Sequence, residues 1–504
     1  MEAWLDPVYD AAGMRAADAW AIEDQGVPSL ELMEAAGGAL ARAAEGVARP
    51  GPIRVVCGKG NNGGDGLVAA RQLAASGHEA EALLLWPAGE LSRDAAANLE
   101  RLPGEAFREV GPGDVAGALA GSGAVVDAIF GTGFSGSPRD PAGSAIEAIN
   151  ACGAPVVAAD VASGVDASTG EAEGVAVRAS ATVSFHAAKL GHWIAPGKLL
   201  AGHLTVAPIG IPAGSPSEPR AGVIRDEVLR LAPPREPGST KFTSGQCVVV
   251  GGSRGLTGAV CLAAGAAIRG GAGYATVAVP ADLEPVFEAK LTEVMSRGFG
   301  GAEGRLAAAD AGGIAAATEG AAAAVLGPGL GRDDDSLELA RALASRVGAP
   351  LLIDADGLNA HAGRLDALAT RDAPTVLTPH EGELGRLLER ESAEIKAGRL
   401  GFALEAARRS GAVVILKGDD TLVVEGERVA IARGGAPALA TAGTGDVLSG
   451  LVGALLARGM EPFEAACAGV HAHQRAGRIA AGRLGLAESV VAGDVIDALA
   501  EALG

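Results

Sequence analysis

The sequence has few cysteines, few aromatic residues and no long uninterrupted apolar run. Its five cysteines are scattered without Cys-x-x-Cys spacing, which argues against a disulfide framework and a zinc site. No uncharged apolar stretch reaches the roughly 18 residues that a membrane span needs, and the acidic beginning Met-Glu-Ala-Trp-Leu-Asp is unlike a signal peptide. We therefore expect a cytoplasmic protein without a membrane partner.

Basic residues are also in deficit, and the formal net charge is −20. This charge argues against nonspecific nucleic-acid binding, which needs a basic face. It leaves room for a phosphate ligand, because a helix N-terminus and a few backbone N–H groups can bind phosphate on an acidic protein. Glycine is abundant at 76 of 504 residues, about twice the usual share, and predicts many tight loops.

Short apolar runs recur along the chain, and most are followed by glycine and a helix-like stretch. Continuous apolar strands alternating with helices are typical of parallel sheets covered on both faces. The predicted fold class is therefore α/β, with mostly parallel central sheets built from strands at 53–57, 82–85, 124–129, 155–159, 181–185, 204–207, 247–250, 275–279, 323–326, 350–353, 375–377, 413–416, 422–424 and 429–431.

Two segments rich in proline, glycine and serine, 211–220 and 233–239, separate these strands into two groups. Such a composition is typical of a linker and a domain entry. We predict three-layer domains at 1–212 and 235–504, joined by a linker at 213–234. Ligands of open parallel sheets bind beyond the carboxyl ends of the strands, so functional residues are expected in the loops after the apolar runs.

In the second domain, Thr441-Ala-Gly-Thr-Gly-Asp446 precedes an apolar helix pattern. The glycines allow a tight turn whose N–H groups point one way, and the start of the helix adds about half a positive charge. The pattern predicts a phosphate site at Gly443, Thr444 and Gly445, with Asp446 placed as a base. The alternative is that Asp446 only stabilises the first turn of the helix.

Three other strand ends in this domain carry polar residues. Lys417-Gly-Asp-Asp-Thr421 suits a nucleotide phosphate, and is compatible with a hairpin turn between its flanking strands. His380 and Glu383 lie at a strand-to-helix turn, where a structural histidine and a helix-favouring glutamate are the simpler interpretation. Asp354 and Asp356 could engage Mg²⁺ through water, although solvated loop acids are the commoner case.

These segments, together with Gly251-Gly-Ser-Arg-Gly-Leu-Thr-Gly-Ala259 and Gly327-Pro-Gly-Leu-Gly331, resemble the ribokinase-like fold and specifically its NAD(P)H-hydrate dehydratase branch. The likeness spans nearly the whole half from about 235 to 504. Sugar kinases of this fold carry Asn-x-x-Glu where this sequence has His380-Glu-Gly-Glu383, so the histidine favours the dehydratase branch.

The resemblance implies that Asp446 takes the proton from the C6 hydroxyl of a hydrated nicotinamide nucleotide, with Gly258, Gly329 and His380 as further substrate contacts. It also implies ADP or ATP as the phosphoryl donor and Mg²⁺ as a cofactor. The residues implied in nucleotide binding are Lys417, Gly418, Asp419, Asp420, Thr421, Gly443, Thr444 and Gly445.

In the first domain, a strand runs into Gly58-Lys-Gly-Asn-Asn-Gly-Gly-Asp-Gly66, which satisfies the pattern G-x-G-x-x-G. Glu79 and Glu81 lie near the place where a dinucleotide-binding domain has its ribose-binding acid, so a simple Rossmann domain is an alternative. The loop is unusually polar for a pyrophosphate turn, however, because it offers amide and carboxylate groups besides its backbone.

Two further strands bring oxygen-bearing side chains to this region. Asp127 lies within an apolar strand, where an unpaired carboxylate is costly, and Asp160 and Ser163 follow the next strand. With Asn62, the residues Asp127 and Ser163 offer hard oxygen ligands suited to an alkali or alkaline-earth ion. Hydrogen-bonded loop packing is the alternative.

These segments, with Met14-Arg-Ala-Ala-Asp18 and Leu32-Met-Glu-Ala-Ala-Gly37 upstream, resemble the Rossmann-like NAD(P)H-hydrate epimerase domain over about residues 1–212. The resemblance implies K⁺ at Asn62, Asp127 and Ser163, and interconversion of the R and S hydrates at C6. Proton transfer at the hydrate makes Asp160 the acid/base candidate. The implied substrate contacts are Asn61, Asn62, Gly63, Gly64, Asp65, Gly131, Thr132, Gly133, Phe134, Ser135, Gly136, Ser137 and Asp160.

Two positions depart from the epimerase pattern. Ala162 replaces the proline of Asp-Val-Pro-Ser-Gly-Val-Asp, and Ala35 replaces the asparagine of Leu-Met-Glu-Asn-Ala-Gly. The first change loosens a loop but keeps its aspartate and serine, so we expect activity to survive. Lys189 and His186 follow a later strand and could line the same pocket, unless Lys189 is a surface residue.

The combined prediction is one enzyme with two active sites that repairs damaged NADH and NADPH. It dehydrates the S hydrate while ADP is converted to AMP and phosphate; the two-domain fusion favours ADP over ATP. We expect a homo-oligomer. The alternatives are a ribokinase-type small-molecule kinase with a ligand-binding N-terminal domain, against which His380 counts, and a first domain that serves only as a binding or scaffold module.

Overall fold

The computed structural model describes residues 2–216, 219–300 and 303–504. The chain forms two compact units, one of Pro7–Ala221 and one of Glu2–Asp6 with Gly222–Gly504. Two residues of the predicted linker, Ser217 and Glu218, lie outside the described residues. The remainder of 213–234 is only partly irregular, since a strand and a 3₁₀-helix occupy its second half.

The chain begins with strand β1 (Leu5–Val8), and the first unit then alternates short strands with helices. Its strands are β2 (Ile53–Cys57), β3 (Ala80–Leu84), β4 (Phe107–Glu109), β5 (Ala124–Ala128), β6 (Val156–Ala159), β7 (Ala181–Phe185) and β8 (His203–Ala207). Its helices are α1 (Ala11–Ala19), α2 (Ser29–Val47), α3 (Asn61–Ala75), α4 (Arg93–Leu99), α5 (Val115–Leu119), α6 (Ala142–Ala151) and α7 (Gly197–Leu200).

Strands β2 to β8 form a sheet in the order β4-β3-β2-β5-β6-β7-β8, and all neighbouring strands are parallel. Successive residues of β2 face opposite sides. Val55 packs in one apolar cluster with Leu40 of α2, whereas Val56 packs in another with Ile146 of α6. Both faces are therefore covered, which is why these strands are continuous apolar runs.

The second unit repeats the alternation on a larger sheet. Its strands are β9 (Ala221–Ile224), β10 (Gln246–Val250), β11 (Tyr274–Pro280), β12 (Met295–Phe299), β13 (Ala323–Leu326), β14 (Leu351–Ile353), β15 (Thr375–Leu377), β16 (Val413–Leu416), β17 (Leu422–Glu425) and β18 (Arg428–Ile431). Its helices are α8 (Thr257–Arg269), α9 (Glu284–Lys290), α10 (Ala311–Ala317), α11 (Asp334–Arg346), α12 (Asp356–Asn359), α13 (Glu381–Leu388), α14 (Ser392–Ala397), α15 (Arg399–Ser410), α16 (Thr444–Ala457), α17 (Pro462–Leu484) and α18 (Ala492–Leu503).

Among the described residues, these strands and β1 follow the order β1-β9-β18-β17-β16-β15-β14-β13-β10-β11-β12. Strands β10 to β16 pair in parallel, while β16, β17 and β18 pair antiparallel, so the hairpin predicted after 413–416 is confirmed. Val249 and Ile415 share a core cluster with Val260 of α8 and Leu455 of α16. The predicted α/β class with mostly parallel sheets is confirmed for both units.

No helix in the described ranges is both long and apolar enough to cross a membrane.

Candidate active sites

The first unit contains a cavity of 680 Å³ beyond the carboxyl ends of its central strands. Of the residues implied in epimerase substrate binding, those that line it are Asn61, Asn62, Asp65, Gly131, Thr132, Gly133, Phe134, Ser135 and Asp160. Gly63 and Gly64 lie in the first turn of α3 and outside this lining. A Cβ on Gly63 would come within 1.9 Å of the Gly58 carbonyl oxygen, and one on Gly64 within 2.7 Å of Met33 Sδ. Gly136 and Ser137 also lie outside the lining.

At the floor of this cavity, Asp160 forms an ion pair with Lys189. Asp160 has a left-handed φ of 66°, and its Oδ1 also accepts a hydrogen bond of 3.1 Å from the Phe185 backbone N–H. Lys189 Nζ donates further bonds to Ser184 Oγ at 3.0 Å and to the Phe185 carbonyl at 2.8 Å. Lys189 is fully buried and lines the cavity, so the interpretation of this residue as a surface lysine is wrong.

The buried His192 contacts the backbone of both residues of this pair. His192 Nδ1 accepts a 3.0 Å bond from the Lys189 backbone N–H, and its Nε2 lies 2.8 Å from the Asp160 carbonyl oxygen. Burial lowers the pKa of His192 to about 4, so the ring is neutral and Nε2–H is the donor to Asp160. By contrast, His186 lies outside the cavity lining and has its ring 6.3 Å from that of Tyr9.

Two more carboxyl groups face the Asp160–Lys189 pair. Burial raises the pKa of Asp18 to about 6. Burial also raises the pKa of Asp65 well above its ordinary value, and the neighbouring charges of Asp160 and Asp18 act in the same direction. The sequence does not reveal a role for Asp18, because helix α1 brings this residue to the cavity only in the folded chain.

The three residues proposed from sequence as cation ligands converge next to this cavity. Asp127 is fully buried and accepts hydrogen bonds from Ser163 Oγ at 2.6 Å and from the Ser163 N–H at 2.8 Å. Asn62 Nδ2 donates to the Phe130 carbonyl at 2.9 Å. Burial raises the pKa of Asp127 to about 6, although the hydrogen bonds from Ser163 and Ile129 act in the opposite direction. This hard oxygen set fits a monovalent cation.

In the second unit, Asp446 lies in the first turn of α16, after Gly443 in a left-handed conformation with φ 89°. Burial raises the pKa of Asp446 to about 7, and the negative charge of Asp354 adds to the increase. Within the described chain, the Asp446 carboxylate makes no hydrogen bond or ion pair. It is therefore a carboxylate held near a helix N-terminus with its oxygens available to a ligand.

Lys417 lies beside this helix start, since a Cβ on Gly445 would be 3.7 Å from Lys417 Nζ. Its ammonium pairs with Asp354 at 3.1 Å and with Glu383 at 3.5 Å. Asp354 also accepts a 2.7 Å bond from Ser449 Oγ, one turn along α16 from Asp446. Lys417 therefore connects the segments that follow β14, β15 and β16, and through Asp354 it connects them to α16.

His380 is the N-cap of α13, as its Nδ1 accepts bonds from the N–H groups of Gly382 at 2.9 Å and Glu383 at 3.3 Å. Glu383 in turn accepts a 2.8 Å bond from the His380 N–H. The ring Nε2 lies 3.5 Å from Glu383 Oε1, and 54% of the His380 side chain is exposed. The structural and the ligand-binding interpretations of His380 are therefore compatible.

The remaining implied substrate contacts, Gly258 and Gly329, lie in adjacent segments. Gly329 has φ 60°, and a Cβ there would lie 2.5 Å from the Leu256 carbonyl oxygen and 3.2 Å from the Ala259 Cβ. Gly258 opens α8, with nothing within 4 Å of a Cβ. The loop that contains Gly329 contacts one of the carboxylates near Asp446, because the Gly331 N–H donates a 3.1 Å hydrogen bond to Asp356.

A cavity of 310 Å³ adjoins the start of α16. The implied nucleotide contacts that line it are Lys417, Gly418, Asp419, Thr421, Thr444 and Gly445. Gly443 and Asp420 lie outside this lining. A Cβ on Gly443 would lie 2.6 Å from Leu262 Cδ1, and Asp420 is buried in an ion pair with Arg399 at 3.0 Å. Sequence reasoning missed the wall supplied by α17, namely Val470, His473 and Gln474, which nothing in the local sequence marks. A neighbouring cavity contains His380 and shares Lys417 and Gly418.

The two carboxylates considered for Mg²⁺ are neither solvated nor available. Asp354 is engaged by Lys417 and Ser449, and Asp356 accepts a 2.8 Å bond from Arg332. Both are buried. They therefore do not fit a direct Mg²⁺ site.

Two family models match the chain. One described as NAD(P)H-hydrate dehydratase matches residues 247–500, and one described as YjeF-related protein N-terminus matches residues 29–191. The second unit thus falls in the class of NAD(P)H-hydrate dehydratases, as the resemblance of its motifs implied.

Relatives extend the likeness to both units. The bifunctional NAD(P)H-hydrate repair enzyme Nnr of Salinibacter ruber is 39% identical, over 98% of this chain and 96% of its own length. That of Moorella thermoacetica is 38% identical, over 97% and 95%. The ADP/ATP-dependent NAD(P)H-hydrate dehydratase from Bacillus subtilis, co-crystallized with ATP/Mg²⁺, is 25% identical, with a TM-score of 0.47 over 55% of this chain and 95% of its own. The chain belongs to the family of bifunctional NAD(P)H-hydrate repair enzymes.

Proposed function

We propose that residues 235–504 dehydrate S-NAD(P)HX to NAD(P)H while ADP is converted to AMP and phosphate. The observation that carries this proposal is the unpaired Asp446 carboxylate beside a helix N-terminus and a cavity. Its pKa of about 7 suits a group that must accept a proton near neutral pH. Gly258, Gly329 and His380 are assigned to the hydrated nicotinamide nucleotide.

The chemistry runs in two stages. Asp446 takes the proton of the C6 hydroxyl, whose oxygen attacks the terminal phosphorus of the nucleotide, and AMP leaves with the electron pair of the broken P–O bond. The N–H groups of Gly443, Thr444 and Gly445 stabilise the charge on the transferred phosphoryl group. Phosphate then leaves C6 with its bonding pair, pushed by the ring nitrogen, and loss of a proton from C5 restores the reduced ring.

We assign the nucleotide to the 310 Å³ cavity, with Lys417, Gly418, Asp419, Thr421, Thr444 and Gly445 as contacts. Asp420 acts there indirectly, by fixing the turn through Arg399. Mg²⁺, when bound, would neutralise phosphate charge; it commonly keeps several waters and is held largely by substrate phosphates, which agrees with the engaged state of Asp354 and Asp356.

For residues 1–212 we propose interconversion of R- and S-NAD(P)HX at C6, in the 680 Å³ cavity. Asp160 is the group that exchanges a proton with the hydrate, and Lys189 is its counter-cation. Asn61, Asn62, Asp65 and the loop Gly131–Ser135 are assigned to substrate. K⁺ would be held by Asn62, Asp127 and Ser163, where it would balance the buried Asp127 charge and fix the loop.

The decisive test is incubation of the full chain with chemically prepared NADHX or NADPHX and either ADP or ATP. Recovery of dihydronicotinamide absorbance with release of inorganic phosphate is expected, together with exchange of R into S when K⁺ is present. A stable phosphorylated product would instead indicate a kinase. Replacing K⁺ by a bulky organic cation should slow epimer exchange only, and sedimentation velocity will test the expected homo-oligomer.

A further inference from the structure

The carboxyl groups of the first cavity differ in their partners. Asp160 is paired with Lys189, and Lys189 has its remaining hydrogen bonds committed to Ser184 and Phe185. Asp65 is only 9% exposed, yet its carboxyl group makes no hydrogen bond or ion pair in the described part of the chain. It projects from the first turns of α3 into the lining of the same cavity.

The difference in partners favours a different protonation state for each of the two carboxyl groups. A buried carboxyl group without a cation or hydrogen-bond donors is stable as the neutral acid, whereas one beside an ammonium is stable as the anion. The charged groups around Asp65 are Asp160, Asp18 and Lys189, and burial is the largest cause of its raised pKa. Two carboxyl groups held in opposite states within one cavity are typical of an acid and base pair.

We propose that Asp65 is the proton donor of the epimerase site and works opposite Asp160, which is the proton acceptor. This inference rests on the proposed epimerase function of the first unit. It extends that function by giving the acid role to a residue so far assigned only to substrate contact.

The proposed step breaks the C6–O bond and forms it again on the other face of the ring. Asp65 gives its proton to the C6 hydroxyl oxygen, the C6–O bond breaks with its electron pair going to oxygen, and water leaves. The lone pair of the ring nitrogen forms a C6=N1 double bond, which makes C6 planar. A water molecule then adds from the other face, the C6=N1 pair returns to nitrogen, and the proton of that water passes to Asp160. Proton exchange with solvent water resets the two carboxyl groups.

Asp114 supplies a control, because its carboxyl group is exposed and lies outside the lining of this cavity. Asp114→Asn should therefore leave the proton-transfer step in place, while Asp65→Asn removes the proton donor at nearly constant volume.

The experiment follows epimer exchange of purified R-NADPHX by chromatography at short times, above the spontaneous rate. Asp65→Asn should lower kcat by at least about 100-fold, with KM changed by less than about threefold, since a general acid acts mainly in the transition state. The Asp114→Asn control should stay within about twofold of the wild-type rate. The wild type should lose rate as pH rises through the pKa of Asp65, and this alkaline loss should be absent from the residual activity of Asp65→Asn.

A measurement on the wild type keeps the inference testable if Asp65→Asn does not fold. In water enriched in ¹⁸O, each inversion should place one solvent oxygen on C6, because the C6–O bond is broken. Inversion without ¹⁸O uptake, or an Asp65→Asn enzyme with kcat near the wild-type value, would overturn the assignment. Absence of any accelerated exchange by the wild type would instead contradict the proposed epimerase function.

Discussion

Each of the two sites contains a lysine paired with carboxylates, but the two lysines differ in burial and in the number of carboxylates they contact. In the first unit, Lys189 is fully buried and anchors the single carboxylate of Asp160. In the second, Lys417 has 22% of its side chain exposed and bridges two carboxylates, Asp354 and Glu383. In both sites a further carboxyl group, Asp65 or Asp446, lies close by without a cation of its own, and burial raises its pKa.

Both lysines are engaged in ion pairs, so neither has to transfer a proton in the reaction. Each ammonium stabilises carboxylates that would be costly to bury alone, and thereby sets the charge near a carboxyl group that has no such partner. The two lysines differ in the groups whose positions they fix. Lys189 holds one carboxylate in a loop with left-handed backbone, whereas Lys417 joins three strand ends to the helix start that borders the proposed nucleotide cavity.

The largest effect is expected from Asp446→Asn. Loss of the base should lower the dehydration rate on the order of 10³-fold, because the amide cannot accept the hydroxyl proton. Single-turnover conversion of S-NADHX with ADP will measure it, and nucleotide binding should persist. Epimer exchange by the same variant is the control, since the other unit is unchanged. Dehydration at more than a tenth of the wild-type rate would remove Asp446 from the base role.

The next effect concerns Lys189→Met, which leaves Asp160 as a buried carboxylate without its cation. Removing one member of a buried pair costs about 3–5 kcal/mol, so the first unit should unfold at clearly lower urea concentration and lose epimer exchange. Lys59→Met is the matched control, because Lys59 lines the same cavity but pairs with Glu90 at the surface, with 53% and 50% exposure. There we expect a loss below about 1 kcal/mol. Equal losses in both variants would show that the buried pair has no special weight.

The sequence predicts the interior of this structure better than its margins. Strands at 181–185, 323–326, 375–377 and 413–416 agree with the structure residue for residue, because a strand buried on both faces must be continuously apolar. Strands β1, β4, β9 and β12 were missed. Three of them, β1, β4 and β12, lie at sheet edges and contain charged residues, so no apolar run marks them. Strand β9 is buried but has only four residues, and it follows a segment rich in proline and serine.

The sites show the same division. Asp160 and Lys417 directly follow strands β6 and β16, so the position of each could be anticipated from the topology of a parallel sheet. The partner of each could not. A lysine after a strand is usually solvated, and only tertiary packing buries Lys189 against Asp160. Likewise, Asp420 and Asp419 are adjacent in sequence, but one turns inward to Arg399 while the other lines the nucleotide cavity.

The rate of dehydration should depend on pH through the ionisation of Asp446. Asp446 must be ionised to accept a proton, and its pKa is raised to about 7, so the rate should fall about tenfold per pH unit below 7. Asp356→Asn removes one of the negative charges that raise this pKa, and should move the fall to lower pH. Asp366→Asn, which changes an exposed carboxylate paired with Arg409, should not move it. An unchanged profile in Asp356→Asn would show that the charge of Asp356 does not contribute to the raised pKa of Asp446.

The smallest effect is expected at the wall between the helix start and the nucleotide cavity. Thr444 Oγ1 lies within hydrogen-bond distance of the carbonyls of Leu439 and Thr441, at 2.7 and 2.9 Å, and so holds the loop that lines the cavity. Thr444→Val removes about 1 kcal/mol of hydrogen bonding, and should weaken ADP binding about fivefold with epimer exchange unchanged. Ser345→Ala, which removes a comparable helix hydroxyl bonded to the Ala342 carbonyl, should leave the Kd measured by titration calorimetry unaltered. An equally small change in both variants would mean that the loop is held by its apolar contacts rather than by Thr444.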